Sequence, residues 1–354
     1  MEKIGMLKQF KAKHNSLLGI DLSPTSIKVL EISQYRDTIC VEGYGYEALP
    51  ANAFETSPGR VVSAIKRLLA KFNSSAKFAA IAMPDSTVIS KTIQLVDSLN
   101  DLEMEELIFL EADKYLAYPP DKINIDFMVL GPNKKKLGML DVLLLASRED
   151  EINKRIDILK DAGLETKIVD IKSYAIASVF EHFAIEINQS KLIAVLDISY
   201  ESISLLVLEN GKIIYTREDV FASRQFQETM ANHDKLSNEE AILIQEQNLK
   251  SADYETEVIK PFINLAIQQI KRSMQYYLST SQPAFIEKIF LTGELSQFTE
   301  LVQKIQLETG FLICVANPFK QLSLSKKINE MELTKVAPLF LLALGLALRL
   351  AHDN

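Results

Sequence analysis

The chain has 354 residues, of which 47% are hydrophobic and 24% charged, with only 12 Gly and 11 Pro. That composition belongs to a globular chain with a large core and excludes wholesale disorder and fibrous repeats; at about one domain per 150 residues, the length predicts two or three domains. Lys and Arg number 39 against 47 Asp and Glu, a net charge of −8; this argues against a generic nucleic-acid binder, which needs a basic face to replace phosphate counterions.

Met1 to His14 is basic, but its apolar run is too short and interrupted for a signal peptide. From Leu17 an apolar strand runs through Gly19, Ile20, Asp21 and Leu22 into the turn Ser23-Pro24-Thr25-Ser26. Ile27, Val29 and Leu30 begin a second strand, and Ile39 to Ala48 form a third. Val62, Ile65, Leu68, Leu69 and Phe72 then recur at helical spacing, predicting an amphipathic helix over Val61 to Phe72.

The pattern changes at Phe78. A short strand (Ala79 to Met83), an extended stretch (Val88 to Leu95) and an acidic helix (Leu102 to Tyr115) lead to the stop Tyr118-Pro119-Pro120. Ile123 to Leu130 and Met139 to Ala146 pair as a hairpin whose tip, including Lys134, Lys135 and Lys136, reads as solvated. A helix over Glu149 to Ala162 stops at Gly163, so this block reads as an inserted α+β module.

The opening pattern then returns. Leu192 to Leu196 is another apolar strand, ending in Asp197-Ile198-Ser199, with Ser202 to Leu208 and Lys212 to Arg217 after it. Superposing the two segments sets Asp21 on Asp197, Ser23 on Ser199, Ser26 on Ser202 and Lys28 on Ser204. This internal duplication implies two related lobes. Ser237 to Gln247 and Val258 to Tyr277 are predicted helices of a second insertion. A strand from Ile286 to Leu291 reaches Thr292-Gly293-Glu294, and a short strand follows at Phe311 to Val315. The last apolar segment, Val336 to Leu348, falls short of the ~20 residues a bilayer requires and reads as a buried helix.

Two acid-bearing hairpin turns on related lobes can face each other across a cleft. Such turns offer backbone N–H groups and hydroxyls to phosphate oxygens, while their acids hold Mg²⁺ through water. Asp21 with Thr25, Ser26 and Lys28 supplies one side, and Asp197 with Ser199 and Ser202 the other. With the late turn at Gly293, they point to a nucleotide cleft. Gly43-Tyr44-Gly45 lacks the following helix of a dinucleotide loop, and no Gly-x-x-x-x-Gly-Lys-Ser/Thr loop occurs. His14, His182, His233 and His352 have no metal spacing, and Cys40 and Cys314 cannot form a disulfide framework; both read as buried thiols of a reducing compartment.

The two turns and Thr292-Gly293 resemble the actin/Hsp70/FtsA-like ATPase superfamily. The match is nearer to the PilM family of type IV pilus assembly proteins. It is carried by Gly19 to Lys28, Glu111 to Tyr115 with Tyr118-Pro119, Asp126-Phe127, Ala162-Gly163-Leu164, Val169-Asp170, Tyr215 to Glu218, Arg272 to Tyr277, Ala316 to Phe319 and Gly345 to Arg349. The resemblance implies an α/β, two-lobed actin-like fold with a duplicated core, an FtsA-like inserted α+β subdomain and a second, helical insertion. The expected limits are 1–77 and 166–190 for the first core, 78–165 for the inserted subdomain, 191–222 and 286–354 for the second core and 223–285 for the helical insertion.

The same resemblance implies ATP and Mg as ligands, with Asp21, Ser23, Thr25, Ser26, Lys28, Asp197, Ser199, Ser202, Arg272, Gly293 and Glu294 around the nucleotide, and Asp21 and Asp197 holding Mg through water. It implies a cytoplasmic adaptor that reaches the inner membrane only through partners, among them the N-terminal tail of PilN. That tail would dock between the first core and the insertion, near Tyr118 and Pro119, and other pilus platform components could join.

The chain departs from the family where Ser23, Ser199, Ala222-Ser223 and Glu294 stand in place of glycines. Each non-Gly residue forced to φ > 0 costs roughly 1 kcal/mol. Three such penalties make roughly 3 kcal/mol, about a hundredfold in affinity. Glu201 and Glu294 also add like charge near a polyanion. The expectation is weak ATP binding with negligible turnover. An active ATPase, with Asp197 positioning Mg²⁺ and water, and an FtsA-like filament protein stay open as alternatives; against the latter, no amphipathic segment follows Leu348 before Asn354.

Overall fold

Three strands open the described chain: β1 (Ser16–Ser23), β2 (Ser26–Tyr35) and β3 (Thr38–Ala48), each antiparallel to the next. The computed structural model describes residues 16–35, 38–50, 53–116, 122–183, 192–199, 202–220, 260–280 and 286–351. β1 is buried continuously from Leu17 to Leu22, which is why it reads as an unbroken apolar run rather than an alternation. After α1 (Ala53–Thr56), α2 (Pro58–Lys71) lays Val61, Ala64, Ile65 and Leu68 on that sheet. β4 (Phe78–Met83) joins β1 in parallel.

An excursion follows: β5 (Val88–Val96), α3 (Asp101–Leu110), α4 (Ala112–Tyr115), β6 (Ile123–Pro132) and β7 (Met139–Arg148). Its strands form a separate sheet in the order β5-β7-β6. The single helix expected over Leu102 to Tyr115 is broken at Glu111. Met104, Ile108, Ala112 and Leu116 all pack on this sheet; a spacing of four drifts around a straight helix of 3.6 residues per turn, and the break returns the later pair to the same face. Asn100 caps α3 in a reciprocal capping box with Glu103. α5 (Glu149–Asp161), β8 (Glu165–Ile171) and α6 (Lys172–His182) return the chain to the first sheet, whose β8 pairs with β4.

The second unit repeats the first: β9 (Leu192–Ile198), β10 (Ser202–Glu209) and β11 (Lys212–Val220), then α7 (Lys260–Thr280), β12 (Lys288–Thr292), α8 (Thr299–Thr309) and β13 (Ile313–Val315). β14 (Ser323–Leu324), α9 (Glu330–Val336) and α10 (Leu341–Ala347) complete the chain. The orders β14-β3-β2-β1-β4-β8 and β11-β10-β9-β12-β13 contain the same arrangement, three antiparallel strands followed by two parallel ones. The register agrees as well, Asp21 opposite Lys28 and Asp197 opposite Ser204. The duplication read from the sequence is therefore structural.

The expected subdomain limits need correction. β4 belongs to the first sheet, and Ile158 and Leu159 of α5 lie in its core, so the separate sheet runs only from β5 to β7. α7 is no detached insertion, because Ile263, Ala266, Ile270 and Tyr277 fill the core beneath β9 and β10. The end of the chain leaves the second core: β14 pairs with β3 and α10 packs on β1 and α6. The expected continuous helix from Val336 is interrupted by a 3-10 turn over Ala337–Phe340, where Pro338 has no N–H to donate. The expected helix at Ser237 to Gln247, Glu201, Ala222-Ser223, Tyr118 and Pro119 all lie outside the described residues. Among the described residues, no helix is long and apolar enough to cross a membrane.

α10 passes unusually close to its neighbours. A Cβ on Gly19 would stand 1.9 Å from the Ala343 carbonyl oxygen, and one on Gly345 would stand 1.8 Å from that of Ala175. Backbone touches backbone on both sides of the helix. Gly345→Ala should therefore destabilise the fold by at least about 1–3 kcal/mol, because the close-packed contact cannot relax. Gly59→Ala on α2, with nothing within 4 Å of the added methyl, should be neutral or stabilising by about 0.4–1 kcal/mol. Urea unfolding of the two variants checks the contrast, and similar midpoints would contradict the close approach.

Candidate functional site

Directly opposed residues of an antiparallel pair share a face, so Asp21 and Lys28 meet across the β1–β2 hairpin with Lys28 Nζ 3.1 Å from Asp21 Oδ2. Ser23 closes the turn, donating to Asp21 Oδ1 at 2.9 Å while accepting from Lys28 at 3.3 Å. In the second unit the position opposite Asp197 is Ser204, which brings no charge. Lys172, the first residue of α6, fills that role, with Nζ 2.6 Å from Asp197 Oδ2 and 3.3 Å from Ser204 Oγ. Ser199 and Ser202 close this turn, the Ser199 hydroxyl donating to the Ser202 carbonyl at 3.1 Å.

The third turn follows β12, whose Thr292 is in register with Asp197. Gly293 has φ 86°, and a Cβ there would stand 2.6 Å from Asp197 Oδ1. Only glycine fits. The next residue, Glu294, is 6% exposed. Its carboxylate leaves its own lobe and accepts from Lys28 Nζ at 2.5 Å and from Ser26 Oγ at 2.9 Å. Glu218 on β11 also crosses over, accepting from the Ser86 backbone N–H at 2.9 Å, with Lys172 at 3.8 Å.

Burial opposes the charge of Lys28, yet Asp21 and Glu294 hold its pKa well above the usual lysine range. Lys172 is likewise raised against its burial by Asp197 and Glu218. Burial would lift Glu294, but the charge and hydrogen bond of Lys28 hold it below its ordinary 4.5. Glu218 is lowered in the same way by Lys172 and by hydrogen bonds from Ser86 and Ser202. Burial pushes neighbouring Asp85 upward despite its bond from the Ser173 N–H.

These groups border a cavity of about 460 Å³ between the lobes. Of the residues expected around a nucleotide, Asp21, Ser23, Thr25, Lys28, Asp197, Ser199, Ser202, Gly293 and Glu294 line it. Ser26 is buried beside it under Glu294. Arg272 is exposed on α7, where its charge acts on Asp219, and it is not part of the lining. Lys172 and Glu218 were missed by sequence reading. A lysine opening a helix opposes the helix dipole, and that misplaced charge was the available signal.

One expectation needs correction. Asn73 and Asn210 are the non-glycine residues with positive φ among those described, so Ser23, Ser199 and Glu294 carry no left-handed strain and the expected backbone penalty is absent. Asp21 and Asp197, the two acids expected to hold Mg through water, are each paired with a lysine in this structure. Lys28 and Lys172 face the four carboxylates Asp21, Asp197, Glu218 and Glu294, while the remaining cation of the lining, Arg155, is bound to Glu151. The charges present do not fit a polyphosphate.

A lowered acid stabilises the fold above its unfolded pKa and loses that contribution as pH falls through the folded value; raised lysines lose theirs only at strongly alkaline pH. The network should thus stabilise the protein from neutrality to about pH 10 and fail in acid, with Asp85 acting in the opposite sense. Lys28→Met leaves Glu294 buried and unpaired and should destabilise by about 3–5 kcal/mol near pH 7. The deficit should shrink toward about pH 4, as Glu294 takes up a proton. Urea unfolding at both pH values checks this, and a pH-independent deficit would count against the ion pair.

A family model described as type IV pilus assembly protein PilM matches residues 19–351. Among solved structures, the chain is similar to a PilM-PilN type IV pilus biogenesis complex, at 24% identity and TM-score 0.79 over 94% of this chain and 98% of that one. It is also similar to the ethanolamine utilization protein EutJ from Carboxydothermus hydrogenoformans, at 14% identity and TM-score 0.53 over 94% and 89% of the two chains. These likenesses and the duplicated sheets identify an actin-like ATPase fold. Because the family match spans nearly the whole length, the chain belongs to the PilM family of type IV pilus assembly proteins.

Proposed function

We propose that the protein is a cytoplasmic adaptor of the type IV pilus inner-membrane platform that binds the N-terminal tail of PilN, with nucleotide binding weak and turnover negligible. Family membership supports the pilus role, and the similar complex contains PilN. The observation that carries the adaptor reading over an ATPase is the cleft: each lysine is engaged by carboxylates of the protein itself. A polyphosphate entering there meets more negative than positive charge.

We place the tail between the first core and the separate β5-β7-β6 sheet, with Tyr118 and Pro119, which lie outside the described residues, as working contacts. A synthetic PilN tail should bind the full chain. Replacing residues 88–148 by a short linker leaves β4, α5 and β8 in place and should abolish binding while thermal unfolding stays cooperative. Undiminished affinity in a folded deletion would move the groove elsewhere.

Nucleotide binding follows from the charges. A fluorescent ATP analogue with Mg²⁺ should bind weakly, Glu294→Gly should tighten it, and Lys28→Ala should abolish what remains. Submicromolar binding by the unaltered protein, or rapid phosphate release lost in Asp197→Ala, would restore the ATPase reading.

A further inference from the structure

The polar contacts across the cleft share one direction. Ser26 and Lys28 of β2, the Ser86 N–H after β4 and Lys172 of α6 all donate from the first lobe. Asp197, Glu218 and Glu294 all accept from the second. One wall is cationic and the other anionic, and they meet directly. The Glu294 carboxylate holds Lys28 and Ser26 together, an ammonium and a hydroxyl that would suit a phosphate oxygen equally well.

We propose that Glu294 is a built-in substitute for an anionic ligand group and that, with Glu218 on Ser86 and Lys172, it clasps the lobes shut without any ligand. This deepens the weak-nucleotide reading above and rests on it. A phosphate that takes the Lys28 ammonium as its partner competes with Glu294, which is 6% exposed and costly to leave unpaired. Nucleotide and closure therefore compete, where a ligand bridging the same groups would draw the lobes together. Without nucleotide, the protein presents its closed form to partners.

Small-angle X-ray scattering of the full chain, with and without Mg·ATP, tests the clasp. The unaltered protein should not contract on adding Mg·ATP. The double variant Glu294→Gln, Glu218→Gln should have a larger radius of gyration, and Mg·ATP should reduce it. Contraction of the unaltered protein, or a double variant as compact as the parent without nucleotide, would overturn the proposal. Should the double variant fail to fold, Glu294→Gln alone is titrated with the fluorescent ATP analogue. Removing one buried negative charge and freeing Lys28 should tighten binding about tenfold; unchanged affinity would overturn the clasp. PilN-tail affinity measured on the same samples separates the two readings. Loss of peptide binding by the unaltered protein rejects the adaptor, whereas failure of the clasp leaves peptide binding intact.

Discussion

The close approach of α10 to β1 on one side and to α6 on the other is the constraint on which the architecture rests. A helix can lie backbone to backbone against a strand only where side chains are missing, and Gly19 and Gly345 supply the missing atoms. The same core draws Leu30 and Val41 from the first sheet, Val195 and Phe290 from the second, and Phe340 and Leu344 from the end of the chain. The two lobes thus share a hydrophobic layer rather than merely touching. Since interiors are packed as densely as organic crystals, a methyl group added at either glycine would be felt in both lobes and in the cleft above them.

That shared layer sets the distance at which the cleft walls face each other, and the charges then decide what the cleft can do. Buried ions survive only when paired and hydrogen-bonded. Lys28, 3% exposed, meets that condition with Asp21, Ser23 and Glu294, all supplied by the chain itself. Lys172 meets it with Asp197, Glu218 and Ser204. The residues expected to face phosphate and metal are here paired with other side chains of the cleft.

Much of the candidate site was legible in the sequence because it lies on strand-turn-strand units, where spacing alone determines which residues share a face. Asp21 and Lys28, or Asp197 and Ser204, follow from the hairpin register once the turns are recognised. Ser23, Ser199 and Glu294 were singled out as departures from glycine, but the strain assigned to them is absent. Their backbone is unstrained, and the effect of Glu294 is to engage Lys28. Lys172 and Glu218 were missed, because apart from a lysine set unfavourably at the start of α6, nothing local to either residue indicates that it will face the opposite lobe.

By itself the sequence determined the strands, their duplication and the acid-bearing turns, since each depends on local periodicity or on a pattern repeated along the chain, while the family came from the resemblance of its motifs. Only the tertiary structure decided that β4 and α5 belong to the first sheet, that the end of the chain returns to it, and that Arg272 stands away from the cleft. It also decided that Glu294 would meet Lys28 from the opposite lobe, 266 residues away along the chain. The physical reason is range. Hydrogen-bond register and side-chain alternation act over a few residues, whereas the pairing of buried charges depends on which elements the shared core brings within a few ångströms.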